Sequence, residues 1–164
     1  MNMLLVAPAT VGIGFAVVTM WALNTDAVRR WRRRVREFIP FKAAPSHFMA
    51  TGTAEMQWLR NQDHPELVTY FMKPLFRNAR TGDITILVRY PAGEINPRHT
   101  HPVGHGMYVL KGTLVTHRGT FGRDTFVWFP PNEVMFHGAG PEGELVVMFM
   151  TSVDSCTDYV RDSS

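Results

Sequence analysis

Hydrophobic and polar positions divide the chain into two unlike parts. Positions 3–23 (MLLVAPATVGIGFAVVTMWAL) are almost uninterruptedly apolar, and no charged side chain occurs between Met1 and Asp26. As a helix those 21 residues measure roughly 31 Å, the thickness of a bilayer's hydrocarbon core. Pro8, Gly12 and Gly14 lie within the run and are tolerable in a spanning helix. The pattern predicts a transmembrane helix over residues 1–25. A cleaved signal peptide would need positive charge before the run and a small-x-small cleavage site after it. Only Asn2 precedes the run among polar residues, and Met20-Trp21-Ala22 is a poor site. Buried core helices are usually shorter and seldom carry a basic block at one end.

The second part reads differently. From position 67 onward, short β-branched and aromatic runs alternate with Gly, Pro and Asp. Strands are predicted at 67–71, 83–90, 107–110, 113–117, 126–129, 134–137 and 144–150. Regular short strands with turn signals between them predict an all-β sandwich or barrel. A short helical stretch is expected around 54–61, and 154–164 is expected to be a loosely held tail. No internal repeat or low-complexity segment interrupts this pattern.

Charge joins the two parts. Residues 29–36 hold six arginines in eight positions, the flank expected on the cytoplasmic side of a span. Asp26 to Phe41 reads as a helix along the inner membrane face, with Trp31, Val35 and Phe38 near one side and Pro40 and Pro45 ending it. The 164-residue chain carries a net charge of +3 and a pI near 9.4, which by itself invites a nucleic-acid reading. Residues 1–45, however, hold seven basic and two acidic groups, whereas 46–164 hold ten basic and twelve acidic. The excess positive charge therefore belongs to the membrane flank, where membrane lipid is the expected partner and nucleic acid is not. Hydrophobic residues at 45% and aromatics at 12% exclude a wholly disordered or collagen-like chain. The single cysteine, Cys156, excludes an intramolecular disulfide framework and a zinc site built from cysteine pairs.

Candidate chemistry lies in the histidines. His99 and His101 are two apart, so on a strand they leave the same face, and His105 keeps that parity if a strand resumes after Pro102-Val103-Gly104. His137 sits on a later strand that a barrel can bring alongside. Neutral imidazoles converging from two or three strands suit Fe, Zn, Ni, Mn or Cu. The same parity turns Met107, Val109 and Met135 inward and Tyr108 and Phe136 the other way, so the expected chamber is narrow and apolar. His47, His64 and His117 read as surface, linker or turn residues.

The spacing Gly93-x5-His99-x-His101-x3-His105-x6-Gly112 resembles the first cupin motif, and Gly122 through Pro130 or Pro131 to His137 resembles the second, about one residue out of step. The stretch from Thr85 to Gly93, followed by Pro97 to Pro102, is similar to a group containing the zinc-binding cupin domains of anti-sigma factors. The same group contains the iron dioxygenases that cleave acetylacetone or dihydroxyacetophenone. The resemblance covers roughly residues 73–150. It implies a cupin jelly-roll barrel, preceded here by a single N-terminal transmembrane helix, with one divalent metal held by the residues matching His99, His101 and His137. The expected organisation is a transmembrane helix (1–25), a basic juxtamembrane segment (26–45) and a cupin domain (46–164). His105 stands where the family has glutamate. It is expected as a fourth ligand, with a second-shell or substrate-binding role as the alternative. A carboxylate there would lower the site's charge by one and could act as a base, and imidazole does neither in the same way.

Two functional expectations follow. The first is a membrane-anchored, Fe(II)-dependent dioxygenase acting on a small ketone, diketone or aromatic. Zn or another transition metal is the alternative occupant. Glu94, Glu133 and Glu142 lie near motif ends as candidate bases, none singled out. The second is a non-catalytic metal-binding subunit or sensor associated with a membrane protein complex, its site closed by four histidines. Either is expected at the cell inner membrane as a single-pass protein with the cupin domain in the cytoplasm.

Overall fold

Alternating burial along the strands builds the framework. In the segment Asp83–Tyr90, Ile84, Ile86, Val88 and Tyr90 are buried while Thr85, Leu87 and Arg89 between them are only partly so. One face of a pleated strand thus enters the core. The computed structural model describes residues 48–152 and 155–160. The expected span at 1–25 and the basic segment at 26–45 lie outside these residues. Among the described residues no helix is long and apolar enough to cross a membrane.

Among the described residues eleven strands run in chain order: β1 (Leu59–Arg60), β2 (Phe71–Arg77), β3 (Asp83–Tyr90), β4 (Ile95–Thr100), β5 (His105–Lys111), β6 (Leu114–Thr116), β7 (Gly119–Phe121), β8 (Phe126–Phe129), β9 (Met135–Ala139), β10 (Leu145–Ser152) and β11 (Asp158–Tyr159). They form a six-stranded sheet, β1-β2-β3-β10-β5-β8, and a five-stranded sheet, β11-β4-β9-β6-β7. Their pairing is antiparallel. Met107, Val109 and Val147 from the first sheet meet Leu114, Met135 and Ala139 from the second in one core cluster. Fully burying a side chain of this size stabilises the fold by about 1.5–3 kcal/mol, so this cluster holds the sheets face to face. Between β5 and β6 the chain reverses at Gly112, where φ is +79° and a Cβ would stand 2.3 Å from the Glu144 carbonyl oxygen. Only glycine meets both demands.

Several expectations are corrected here. The stretch 54–61 is a turn followed by β1, not a helix. Leu59 and Arg60 pair with Met72 and Phe71, and the Trp58 ring lies 4.7 Å from the cationic ends of both Lys73 and Arg89. These cross-chain contacts override the weak local helical preference. The strand expected at 67–71 instead begins at Phe71 and accommodates Pro74 beside a register shift between Pro74 and Phe76. Within the tail expected at 154–164, Asp158 and Tyr159 pair with Thr100 and His99 as an edge strand.

One irregularity matters most for the site. On β4, Asn96 pairs with His137 and His99 with Met135, so three positions on β4 span two on β9. This bulge at Pro97-Arg98 reverses the facing of everything after it. Asn96 is buried, and with the extra residue His99 and His101 are buried too, where unbroken alternation from Asn96 would have turned them outward.

Candidate metal centre

Two strands and one loop position deliver three imidazoles to one point. His99 lies on β4, His101 directly follows it, and His137 lies in the middle of β9, flanked by Asn96 and Thr116 on the neighbouring strands. One ring nitrogen from each of the three falls within 4.8 Å of the others, and all three residues are buried. His105, at the start of β5, adjoins them without entering that tight group. Neighbouring ring centroids are 4.8 Å apart for His99 and His101, 4.7 Å for His101 and His105, 5.8 Å for His105 and His137, and 4.9 Å for His137 and His99. The four rings therefore close a circuit.

Hydrogen bonding selects the tautomer. His99 Nδ1 lies 2.6 Å from the carbonyl oxygen of Pro97, inside the bulge, and His101 Nδ1 lies 2.6 Å from that of Cys156. A carbonyl only accepts, so both Nδ1 atoms carry the proton and both Nε2 lone pairs are free. The Tyr90 hydroxyl stands 3.4 Å from His137 Nδ1 and can accept in the same way. His99 Nε2 and His137 Nε2 are buried without a hydrogen-bond partner. Leaving a buried polar atom unpaired costs about 1–3 kcal/mol, and a metal ion would satisfy both. Imidazoles held by backbone carbonyls, with their other nitrogens aimed together, are the arrangement of ligating histidines.

His105 sits in different surroundings. Its ring is stacked on Phe129 at 4.7 Å, its partner across β5 and β8, and on Phe149 at 4.8 Å from β10. Both of its ring nitrogens are buried and unpartnered.

Burial sets the charge state of the whole group. It lowers His99 to about 4, with neighbouring His101 adding to the effect, and His105 to about 2, with His101 and His99 adding. His137 is driven well below the ordinary value, mainly by burial, and burial also lowers His101 against the opposing hydrogen bond to Cys156. All four are neutral at pH 7, as ligation requires. The tight group contains no carboxylate. A divalent ion held by it would keep its full positive charge and act as a strong Lewis acid.

The candidate bases are engaged elsewhere or exposed. Glu94 accepts from the Thr69 amide at 2.6 Å. Glu133 takes His117 Nε2 at 2.9 Å and Arg118 at 2.7 and 3.1 Å on one oxygen. Glu142 is exposed in the loop after β9. His64 is exposed beside Glu66, and His47 lies outside the described residues. Sequence reasoning did not find the Pro97 and Cys156 carbonyls, because main-chain acceptors carry no residue signature. Phe129 and Phe149 passed as ordinary strand residues. Tyr90 lay within the motif stretch, but only β3's placement showed its hydroxyl reaching His137.

Residues 46–154 match the ChrR Cupin-like domain family. The chain belongs to that family. No curated protein matches it. Among solved structures, a cupin-like protein of unknown function from Ralstonia eutropha is similar at 18% identity, with 74% of this chain and 76% of that one covered and a TM-score of 0.59. A candidate acetylacetone dioxygenase from Methylibium petroleiphilum is similar at 15% identity, covering 73% and 85%, with a TM-score of 0.57. The polyketide cyclase RemF from Streptomyces resistomycificus is similar at 14%, covering 72% and 89%, with a TM-score of 0.56. At these identities the likeness establishes the cupin jelly-roll fold. Family membership and fold are therefore settled, and the histidine group has the donors to bind a divalent metal.

Proposed function

We propose that this cupin is a mononuclear metalloprotein with Fe(II)-dependent dioxygenase chemistry toward a small ketone, diketone or aromatic. The observation that carries this reading is the set of three buried, neutral imidazoles that bring one ring nitrogen each within 4.8 Å of the others, two of them with Nδ1 committed to a backbone carbonyl. Three protein donors leave coordination positions for a substrate and for O2. Bound there, Fe(II) would supply Lewis-acid activation of a carbonyl or enolate and a redox-active site for oxygen. The chain's own part is to hold and to exclude. Pro97 and Cys156 fix two ligand rings, Tyr90 faces the third, and Phe129 and Phe149 form an apolar wall behind His105. That wall suits an apolar or aromatic ketone better than a sugar phosphate. A similar fold in a candidate acetylacetone dioxygenase supports the reading.

The anchor belongs to the same proposal. The apolar run at 3–23 and the arginine block at 29–36 support a single-pass protein of the inner membrane with the cupin domain in the cytoplasm.

The experiment is anaerobic Fe(II) loading of full-length protein extracted in mild detergent without chelators. Oxygen uptake is then followed with a panel of diketones, hydroxyketones and aromatic ketones. Uptake dependent on Fe(II) and on one compound class is expected, and no uptake with any first-row metal overturns the enzymatic reading.

A second reading draws on His105. Its two unpartnered buried nitrogens and its place in the ring circuit favour a closed four-histidine Zn site in a non-catalytic subunit or sensor of a membrane complex. X-ray absorption of the purified protein separates the two. Four nitrogen donors without an exchangeable water support the sensor, and three with an exchangeable water support the enzyme.

A further inference from the structure

The segment 155–160 crosses the end of the five-stranded sheet and touches the histidine group at three levels. The Cys156 carbonyl accepts from His101 Nδ1 at 2.6 Å, and Ser155 Oγ stands 3.5 Å from the same nitrogen. Tyr159 pairs with His99 in the β11–β4 ladder, and its ring lies 5.9 Å from the His99 ring. Its hydroxyl donates to Asn96 Oδ1 at 2.9 Å, just before the bulge that turns His99 inward. The Val160 amide closes the strap by donating to the Arg98 carbonyl, within that bulge, at 2.9 Å.

The strap holds the sheet by few contacts. β11 is two residues long, lies at a sheet edge and, among the described residues, has a neighbouring strand on one side only. Asp158 and Val160 are exposed, and Cys156 and Tyr159 are half-buried. A segment with so little buried apolar surface opens at a free energy well below that of global unfolding. When it opens, His101 loses the acceptor that orients its ring and keeps its proton on Nδ1.

We propose that the strap is a positioning element for the metal ligand His101, and that strap closure and metal binding are energetically linked. The closed strap aims His101 Nε2 at the site. An ion bound to Nε2 makes Nδ1–H a stronger donor to Cys156 and so holds the strap shut. Linkage of this kind is reciprocal: the factor by which closure tightens the metal equals the factor by which the metal favours closure. Occupancy of a buried site is thereby passed to the protein surface through a single carbonyl, which is what a metal-reading partner would require. This inference rests on the reading that the His99, His101 and His137 group holds a metal.

The test uses full-length protein and Zn(II) as the probe, with hydrogen exchange and competitive chelator titration as readouts. Saturating Zn(II) is expected to slow exchange of the 155–160 amides relative to metal-free protein. Val160→Pro removes the amide donor to Arg98 without touching a ligand, and should weaken Zn(II) binding by about 10- to 100-fold, the usual cost of losing an outer partner of a ligating histidine. Val160→Ala keeps the amide and should bind as the wild type does. The ligand-field spectrum of the Co(II) form should shift in the proline variant and stay unchanged in the alanine variant. Should Val160→Pro not fold, exchange in the wild type decides alone. Zn(II) binding with unchanged strap exchange overturns the inference and leaves the metal reading intact. Failure of the wild type to bind Zn(II) or Co(II) overturns both.

Discussion

Gly138 tests whether close approach of two strands shapes the histidine group. It lies on β9 immediately after His137, opposite Ile95 of β4. A Cβ built on it would stand 2.2 Å from the Glu94 carbonyl oxygen and 2.6 Å from Ile95 Cα, whereas ordinary contact begins near 3.4 Å. Both obstacles are backbone and no side chain can rotate away, so Gly138→Ala must push β4 and β9 apart by roughly 1 Å in a closely packed interior. Overpacking of this kind costs about 1–3 kcal/mol. The Ala139 amide donates to the same Glu94 oxygen at 2.9 Å. Weakening that bond adds up to about 1 kcal/mol. Together they should lower the melting temperature of the metal-free protein by roughly 5–15 °C. The displaced strands carry His99 and His137. Metal–nitrogen distances tolerate only about 0.2 Å, so Zn(II) affinity should fall by at least the ~10-fold seen when a ligand is mispositioned. Urea unfolding of metal-free protein and competitive Zn(II) titration measure the two effects. Gly143→Ala is the control, because its Cβ would have nothing within 4 Å. If Gly138→Ala matches the control in both assays, the reasoning that inter-strand contact sets the ligand geometry is refuted.

Other predictions concern the histidines themselves. His105→Phe replaces a ring with two unpartnered buried nitrogens by an apolar one between Phe129 and Phe149. The metal-free variant should gain about 1–2 kcal/mol in urea unfolding, and a loss would mean that those nitrogens are satisfied in solution. Metal-free protein should also lose stability on acidification. An unfolded histidine titrates near 6.5 and folded His99 near 4, so between these values the unfolded chain binds more protons. Stability is therefore complete above pH 6.5 and falls as the pH drops toward 4, by about 3 kcal/mol for His99 alone. His105, lowered to about 2, extends the loss to lower pH. Urea midpoints that stay flat from pH 7 to 4.5 would contradict this. Finally, Zn(II) at one hundred times its dissociation constant should stabilise the protein by about 2.7 kcal/mol. His99→Ala should abolish that gain, and an undiminished gain would place the ion elsewhere.

The inventory of reactive side chains and the all-β class are legible along the chain. Regular short runs of β-branched residues specified an all-β sandwich or barrel because strand alternation and turn chemistry are local properties. β3 and the buried positions Met107, Val109 and Met135 were legible for the same reason. The histidine spacing pointed to the cupin motif before any strand was placed, and the uneven charge separated a basic flank from a mildly acidic domain. How those residues are aimed follows from the folded chain. β4 could not be read as a strand because Pro97 interrupts it, yet the bulge at that proline turns His99 and His101 inward. The strap escaped notice because a two-residue strand has almost no sequence signature. Its one essential group, the Cys156 carbonyl, meets a histidine 55 positions earlier. His105 stood in the motif, but its stacking between Phe129 and Phe149 joins three strands of the first sheet. Residue identity and local periodicity are written along the chain, whereas the aim of a side chain depends on register and on partners far away in sequence.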